Sequence, residues 1–223
     1  MPGSLIVLAI LIVIVVAVVA HEMEKKRRVA FRAYAAKNRL DYTHEKDRGF
    51  DRYFRDLPFV GPGSNRYLHH QMRGEMEGHR LQIGEYHYQV TRSTGKSSST
   101  RHYYSTLVML QPAYRLKDLS IRKEGLFDKV KAAFGWDDIN FASAEFSRTF
   151  HVTAPDRNWA YAFVQPRTME ILLRTDGVEV HIRRGWLVIR TAKGMRVEEL
   201  PGLVRTGLAL MAQVPDFVKM EPK

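Results

Sequence analysis

Sixteen consecutive apolar residues, Leu5 to Ala20, constrain this chain more than any other feature. The run reads LIVLAILIVIVVAVVA, and residues 1–20 carry no charged side chain. Twenty helical residues rise about 30 Å, which matches the hydrocarbon core of a bilayer. Its many Val and Ile residues form helix poorly in water. In lipid an unpaired backbone is far costlier, so the helix is enforced. The run therefore reads as a transmembrane anchor over residues 1–21. A cleaved secretory signal is the rival, since Val18 and Ala20 are small enough for a cleavage site. Against it, Met1-Pro2-Gly3-Ser4 supplies no Lys or Arg, which secretory signals normally carry ahead of the apolar run.

The positive charge lies on the other flank, as Lys25, Lys26, Arg27 and Arg28. By the positive-inside rule that flank stays cytoplasmic, which predicts a single-pass protein with its domain on the cytoplasmic side. Residues 22–40 contain no Gly or Pro and are rich in Ala, Glu, Lys and Arg. They predict a basic juxtamembrane helix continuing the anchor out of the bilayer. Two roles are open to the four basic residues. They set topology, and each can gain about 1 kcal/mol beside anionic headgroups. The lipid bilayer, through residues 5–20, is thus the first expected partner, with anionic lipid headgroups the second.

Composition bounds what the rest can be. The net charge is +11. Residues 21–40 hold a disproportionate share, with Lys25, Lys26, Arg27, Arg28, Arg32, Lys37 and Arg39 against Glu22 and Glu24. The remaining excess is spread thinly, so no nucleic-acid partner is expected. With no Cys in the sequence, disulfides, thiolate metal sites and Cys nucleophiles are excluded. The residues from 41 to 223 are enough for one self-sufficient core.

The pattern after residue 40 predicts an α+β domain with mainly antiparallel sheet and flanking helices. Phe50, Tyr53, Phe54 and Leu57 fall at helical spacing and end at Pro58 and Gly61-Pro62-Gly63. Three strands follow, over residues 66–76, 80–91 and 102–111, with a turn at Glu77-Gly78 and a polar loop from Ser93 to Thr100. In the second, Leu81 and Ile83 share one parity while Tyr86, Tyr88 and Val90 take the other, which predicts a bulge at Gly84-Glu85. The third is apolar on both parities near its end, as a central strand would be. A further short strand is expected at 119–122, and a helix through Leu126, Phe127, Val130 and Phe134 to Gly135. Residues 145–153 read as a half-buried strand with Phe146, Phe150 and Val152 inside. Thr153 and Asp156 mark a helix start, Pro166 a second helix, and residues 178–191 a hairpin around Arg184-Gly185. A last helix is expected from Pro201 to Ala212. Strands meeting their sequence neighbours through short turns favour antiparallel α+β over βαβ repeats.

No motif carries chemistry. Gly95-Lys96-Ser97 suggests a phosphate loop, but Val90 stands where the first Gly belongs and a strand follows instead of a helix. His69, His70, His79, His87 and His102 lie in or beside the three strands, yet no spacing forces them together on a metal. Lys25 and Arg48 stand where HExxH would need its second His after His21-Glu22 and His44-Glu45. Tyr86, Tyr88, Tyr103 and Tyr104 lie among basic residues but equally suit strands. Asp137-Asp138 is a pair whose members point apart too readily to share a substrate. No catalytic residue, metal ligand or cofactor is assigned.

An apolar N-terminus with its basic stalk is followed by Leu40-Asp41-Tyr42, Asn65-Arg66-Tyr67-Leu68, Gly74, Gly78, Glu85-Tyr86-His87-Tyr88, and residues 145–152 with Asp156 and Ala160. In these features the chain resembles a loosely defined family of bacterial single-pass membrane-anchored proteins to which no activity is assigned. The resemblance implies no functional residue. The expected function is a non-enzymatic binding or scaffold module at the cytoplasmic face of a membrane, with a protein partner. The alternatives are a tethered hydrolase using the meander histidines and an exported envelope protein with a cleaved signal.

Overall fold

The computed structural model describes residues 2–95, 97–123, 136 and 138–220. A single helix, α1 (Pro2–Lys37), carries the apolar run and the basic stalk without a break. It is long and apolar enough to cross a membrane. From Ile6 to Met23 its described side chains are exposed. Beyond that, Glu24, Arg27, Phe31, Tyr34 and Ala35 form the stripe that turns inward, a spacing of three and four that places them on one face. Phe31 and Ala35 are both 1% exposed. Burying Phe31 contributes about 2–3 kcal/mol, so the stalk is docked and not merely attached.

Among the described residues, eight strands make one sheet: β1 (Asp41–Thr43), β2 (Ser64–Met76), β3 (His79–Ser93), β4 (Ser98–Gln111), β5 (Leu119–Lys123), β6 (Phe150–Thr153), β7 (Val178–Arg183) and β8 (Trp186–Thr191). Their order is β1-β2-β3-β4-β8-β7-β5-β6, and each described pairing is antiparallel. The β7–β8 hairpin inserts between β4 and β5, so β4 becomes a central strand covered on both sides, as its apolar run predicts. Around the sheet stand α2 (Gly49–Tyr53), α3 (Ala144–Thr149), α4 (Arg157–Phe163), α5 (Pro166–Arg174), α6 (Leu200–Ala212) and α7 (Asp216–Lys219). The domain is α+β, as expected. The turns at Glu77-Gly78 and Arg184-Gly185 hold both residues at positive φ, the geometry of tight hairpins.

The sheet has a core on each face. The larger packs Leu81, Ile83, Val108, Leu110, Leu187 and Ile189 beneath α1, α4, α5 and α6. The smaller packs Leu68, Tyr86, Leu107, Met109 and Val188 beneath α2 and the turns after it. This corrects the bulge predicted at Gly84-Glu85. β3 pairs with β4 without interruption from Arg80↔Gln111 to Ser93↔Ser98. The parity change arises because the two cores are offset along β3: Leu81 and Ile83 meet the larger one, Tyr86 the smaller. The irregularities lie on the neighbouring strand β2, between Ser64 and Tyr67 and between His69 and Met72.

Residues 145–149 also differ from expectation, being helix α3 and not strand. Phe146 and Phe150 are four apart, a spacing that suits one face of either element. Local hydrogen bonds decide: the Ser143 hydroxyl caps the Phe146 N–H, and the Ser147 hydroxyl donates to Phe141 O at 3.0 Å. The strand begins at Phe150. Thr153 ends it, and Asp156 itself caps α4 by accepting from the Trp159 N–H. The helix expected at Leu126 to Gly135 lies outside the described residues.

Gly84 lies under Leu68, whose side-chain carbons come within 2.9 Å of where a Cβ would stand. Leu68 is fully buried in the smaller core and cannot swing aside. Gly84→Val should therefore lower the urea unfolding midpoint by the equivalent of about 1–3 kcal/mol; an unchanged midpoint would contradict the packing described.

Candidate functional site

Past Ile83 the larger-core face of β3 stops being apolar. The next inward residue is Glu85, 1% exposed, a carboxylate that must find partners to be buried. It finds them in three distant parts of the chain. Arg27 of α1 donates to Glu85 Oε2 and, at 3.0 Å, to the carbonyl of Met195. The Met195 N–H donates to the same carboxylate oxygen from the loop after β8. His69 Nε2 on β2 stands 2.8 Å from Glu85 Oε1, at ion-pair distance though off the line of a hydrogen bond. Gly194 lets the loop come this close, since a Cβ there would meet Glu85 Oε2 at 3.2 Å. Burial alone would raise the Glu85 carboxyl, but His69, Arg27 and the Met195 amide outweigh it and hold it at about 2.

The β2 bulge adds a second contact to α1. His70 has φ of 49°, a left-handed conformation that His tolerates better than most residues. The kink brings the His69 and His70 rings within 4.5 Å of each other. His70 shares a hydrogen bond with the Tyr42 hydroxyl at 2.8 Å and lies 3.1 Å from Glu24. Phe31 packs on its ring at 5.2 Å. Burial, and then the neighbouring His69, lower His70 to about 4, so it is neutral at physiological pH.

Around this joint opens a cleft of about 670 Å³, lined by Glu24, Arg27, Arg28, His44, Lys46, Tyr67, His69, Glu85, Tyr104 and Arg196 among others. Its floor is aromatic and cationic. The Lys46 ammonium lies 4.5 Å over the Tyr67 ring, and His87 stacks beneath Tyr67 at 4.5 Å. The Glu24, Glu45 and Glu85 carboxylates line the same cleft, so the surface is polar and of mixed charge.

The structure distributes the sequence candidates unevenly. Of the four stalk residues, Lys25, Lys26 and Arg28 are exposed, Arg28 pairing with Glu24 at 3.0 Å. Arg27 is turned inward to Glu85. The meander histidines fall into separate places. His69 and His70 meet α1, while His87 and His102 bond each other at 2.9 Å with His87 also on the Asn65 carbonyl. His79 sits at the opposite end of β3. Among the described residues, no group of three or more His, Asp or Glu is arranged to hold a metal ion. Asp138 bonds His151 at 2.8 Å, and Asp137 and Lys96 lie outside the described residues.

A buried polar network on the other face went unread in the sequence, where Glu179, His181 and Arg183 look like the solvent side of a strand. All six residues of β7 are buried. Glu179 accepts from Arg190 at 2.7 Å, His181 bonds the Ser120 hydroxyl at 3.1 Å, and Arg183 donates to Ser120 and to the Leu119 carbonyl. Its members tie β7 to β5 and β8.

No protein-family model matches the chain, and no curated protein matches it. Among solved structures, the crystal structure of the mycobacterial trehalose monomycolate transport factor A, TtfA, superposes with a TM-score of 0.59 at 11% sequence identity, over 84% of this chain and 96% of that one. At that identity the likeness shows a shared fold.

The buried ionisable groups predict acid sensitivity. His70 and His181 titrate at about 4 against an ordinary 6.5, burial being the first cause in both. The unfolded chain takes up those protons first, so stability falls as pH drops from 6.5 towards 4. Glu85 and Glu179, held at about 2 against 4.5, contribute fully above 4.5 and lose that contribution towards 2. The melting temperature should decline steadily below pH 6.5, and His181→Gln should flatten the upper part of that decline. A melting temperature constant from pH 7 to pH 4.5 would contradict this.

Proposed function

We propose that this chain is a membrane-anchored binding module without chemistry of its own, held at the cytoplasmic face, that presents one fixed side of its domain to the membrane and to a protein partner there. One observation carries the reading. The helix that holds the apolar anchor also supplies Arg27, which closes on the buried Glu85. The domain is thus built onto its own anchor, and a catalytic domain on a free tether would need no such joint. The cleft beside the joint lies close to the end of the apolar run. From Ala20 to Arg27 the helix rises about 10 Å, roughly the depth of the headgroup layer and a little beyond.

The orientation rests on Lys25, Lys26 and Arg28, whose exposed charges follow the anchor directly and favour retention on the cytoplasmic side. The same three are placed to meet anionic headgroups. The fold shared with a mycobacterial transport factor supports reading the module as an accessory to a membrane-linked transport process.

Two measurements test this. A C-terminal tag should be protected from protease on intact spheroplasts at the full mass of the chain; digestion from outside would overturn the cytoplasmic placement. Crosslinking in membranes should recover partners with the full chain that a chain ending after residue 40 does not recover. Identical partners for both would remove the binding role from the domain. Arg27→Ala should weaken recovery while costing about 2–3 kcal/mol of stability, as expected when a buried carboxylate loses its charged donor.

A further inference from the structure

The β3–β4 hairpin continues well past the rest of the sheet. β2 pairs with β3 only as far as Gln89, and β8 pairs with β4 only from Thr106 onward. Between these limits β3 and β4 pair with each other alone, out to Ser93↔Ser98. Every described residue from Thr91 to Tyr104 is exposed. A free two-stranded ribbon is marginal in water. This one is pinned by the stacked rings of Tyr88 and Tyr103, 4.9 Å apart, and by a Thr91–Thr100 hydroxyl bond of 2.9 Å. From residue 86 to residue 117 the sequence contains no Asp or Glu, while Arg92 and Arg101 fall in the ribbon.

The contacts of α1 fix where the ribbon points. Leu40, at the end of the stalk, packs against Gly74, which pairs with Leu81. Arg27, closer to the anchor, reaches Glu85. Moving down α1 towards the apolar run is therefore moving along β3 from Leu81 towards Ser93. From Arg27 to Lys37, where α1 ends and the chain turns back to Leu40, the helix spans about 15 Å while β3 advances about 13 Å, so the strands run broadly along the helix. The further eight residues from Glu85 to Ser93 extend about 26 Å along the strand. The apolar run begins about 10 Å from Arg27 on the same axis. The ribbon is therefore long enough to span the headgroup level beside the anchor, with Arg101, opposite Val90, about 17 Å beyond Glu85 along the strand.

We infer that the β3–β4 ribbon is a second membrane contact, whose Arg92 and Arg101 bind the anionic headgroup layer beside the anchor helix. The occupant follows from charge complementarity and from continuity with the anchor. An acid-free, basic and polar tip fits phosphate-bearing headgroups and not the hydrocarbon core. Tyr103 and Tyr104, 39% and 41% exposed, stand behind it with the amphipathic character of interfacial aromatics. Together with Lys25, Lys26 and Arg28, the ribbon gives the domain two separated points on one surface, which restricts rocking about the anchor. The inference rests on the anchored reading proposed above.

The chain has no Cys, so one introduced thiol labels one position cleanly. An environment-sensitive fluorophore on Thr94→Cys, in the full chain reconstituted into vesicles containing phosphatidylglycerol, should shift to the blue and be quenched by a headgroup-borne quencher. The same label on Glu75→Cys, at the opposite end of the sheet, should not respond. The shift should be lost with Arg92→Glu and Arg101→Glu together, and weakened in high salt. A label at residue 94 that reports water while the chain floats with the vesicles overturns the ribbon contact and leaves the anchor standing. An equal shift in neutral phosphatidylcholine overturns the assignment to anionic headgroups. A chain that does not float with vesicles overturns the anchor, and this inference with it.

Discussion

The carboxylate of Glu85 is the constraint on which the arrangement of this protein turns. A charge buried to 1% exposure is tolerated only if donors converge on it. Here the donors come from the anchor helix and from the loop after β8, while His69 of a bulged strand stands at ion-pair distance. Satisfying one side chain therefore brings α1, β2 and residues 194–195 to a single point. The bulge at His70, the close approach of Gly194 and the inward turn of Arg27 all follow from that convergence. A neutral residue at 85 would leave the stalk held by Phe31 and Ala35 without the buried charge that draws Arg27 inward.

The joint also gives the anchor a mechanical role beyond attachment. The apolar run, the basic flank and the docked stripe are successive stretches of one unbroken helix. Whatever tilt the bilayer gives that helix is passed to the domain through Phe31, Ala35 and Arg27. In the proposed reading, the cleft beside the joint is then held at a set angle to the anchor, which suits a module that must present a surface and gains nothing from swinging. The larger core supplies the stiffness this needs, since α6 locks β4 and β8 at Leu110 and Ile189, where Gly207 allows close approach.

Much of the fold was legible because its signals are local. The anchor follows from an apolar run, the meander from alternation and turn residues, and the central position of β4 from its two-sided apolar end. What was not legible depends on long-range partners. Glu85 looks like any polar residue in an alternating strand until Arg27, fifty-eight residues earlier, is brought to it. Glu179, His181 and Arg183 carry the usual signature of a solvent face, yet Ser120 and Arg190 bury them. The Phe146–Phe150 spacing fits a helix and a strand equally, and only the Ser143 cap and the Ser147 bond to Phe141 decide. Of the four basic stalk residues the sequence treats alike, packing singles out Arg27. A single usable hint existed: at position 85 a carboxylate follows Leu81 and Ile83 on a parity otherwise committed to the core.

The central claim is that anchor and domain move as one body through the Arg27–Glu85 joint. The most direct measurement is the distance between nitroxide labels on Val18→Cys, in the exposed part of α1, and on Glu75→Cys, at the far end of the sheet, by pulsed electron resonance in lipid nanodiscs. A rigid joint predicts one narrow distance distribution that broadens when Arg27 is replaced by Ala. A distribution already broad in the unmodified joint, and unchanged by that replacement, would mean that the domain swings freely on its stalk, and would contradict the account.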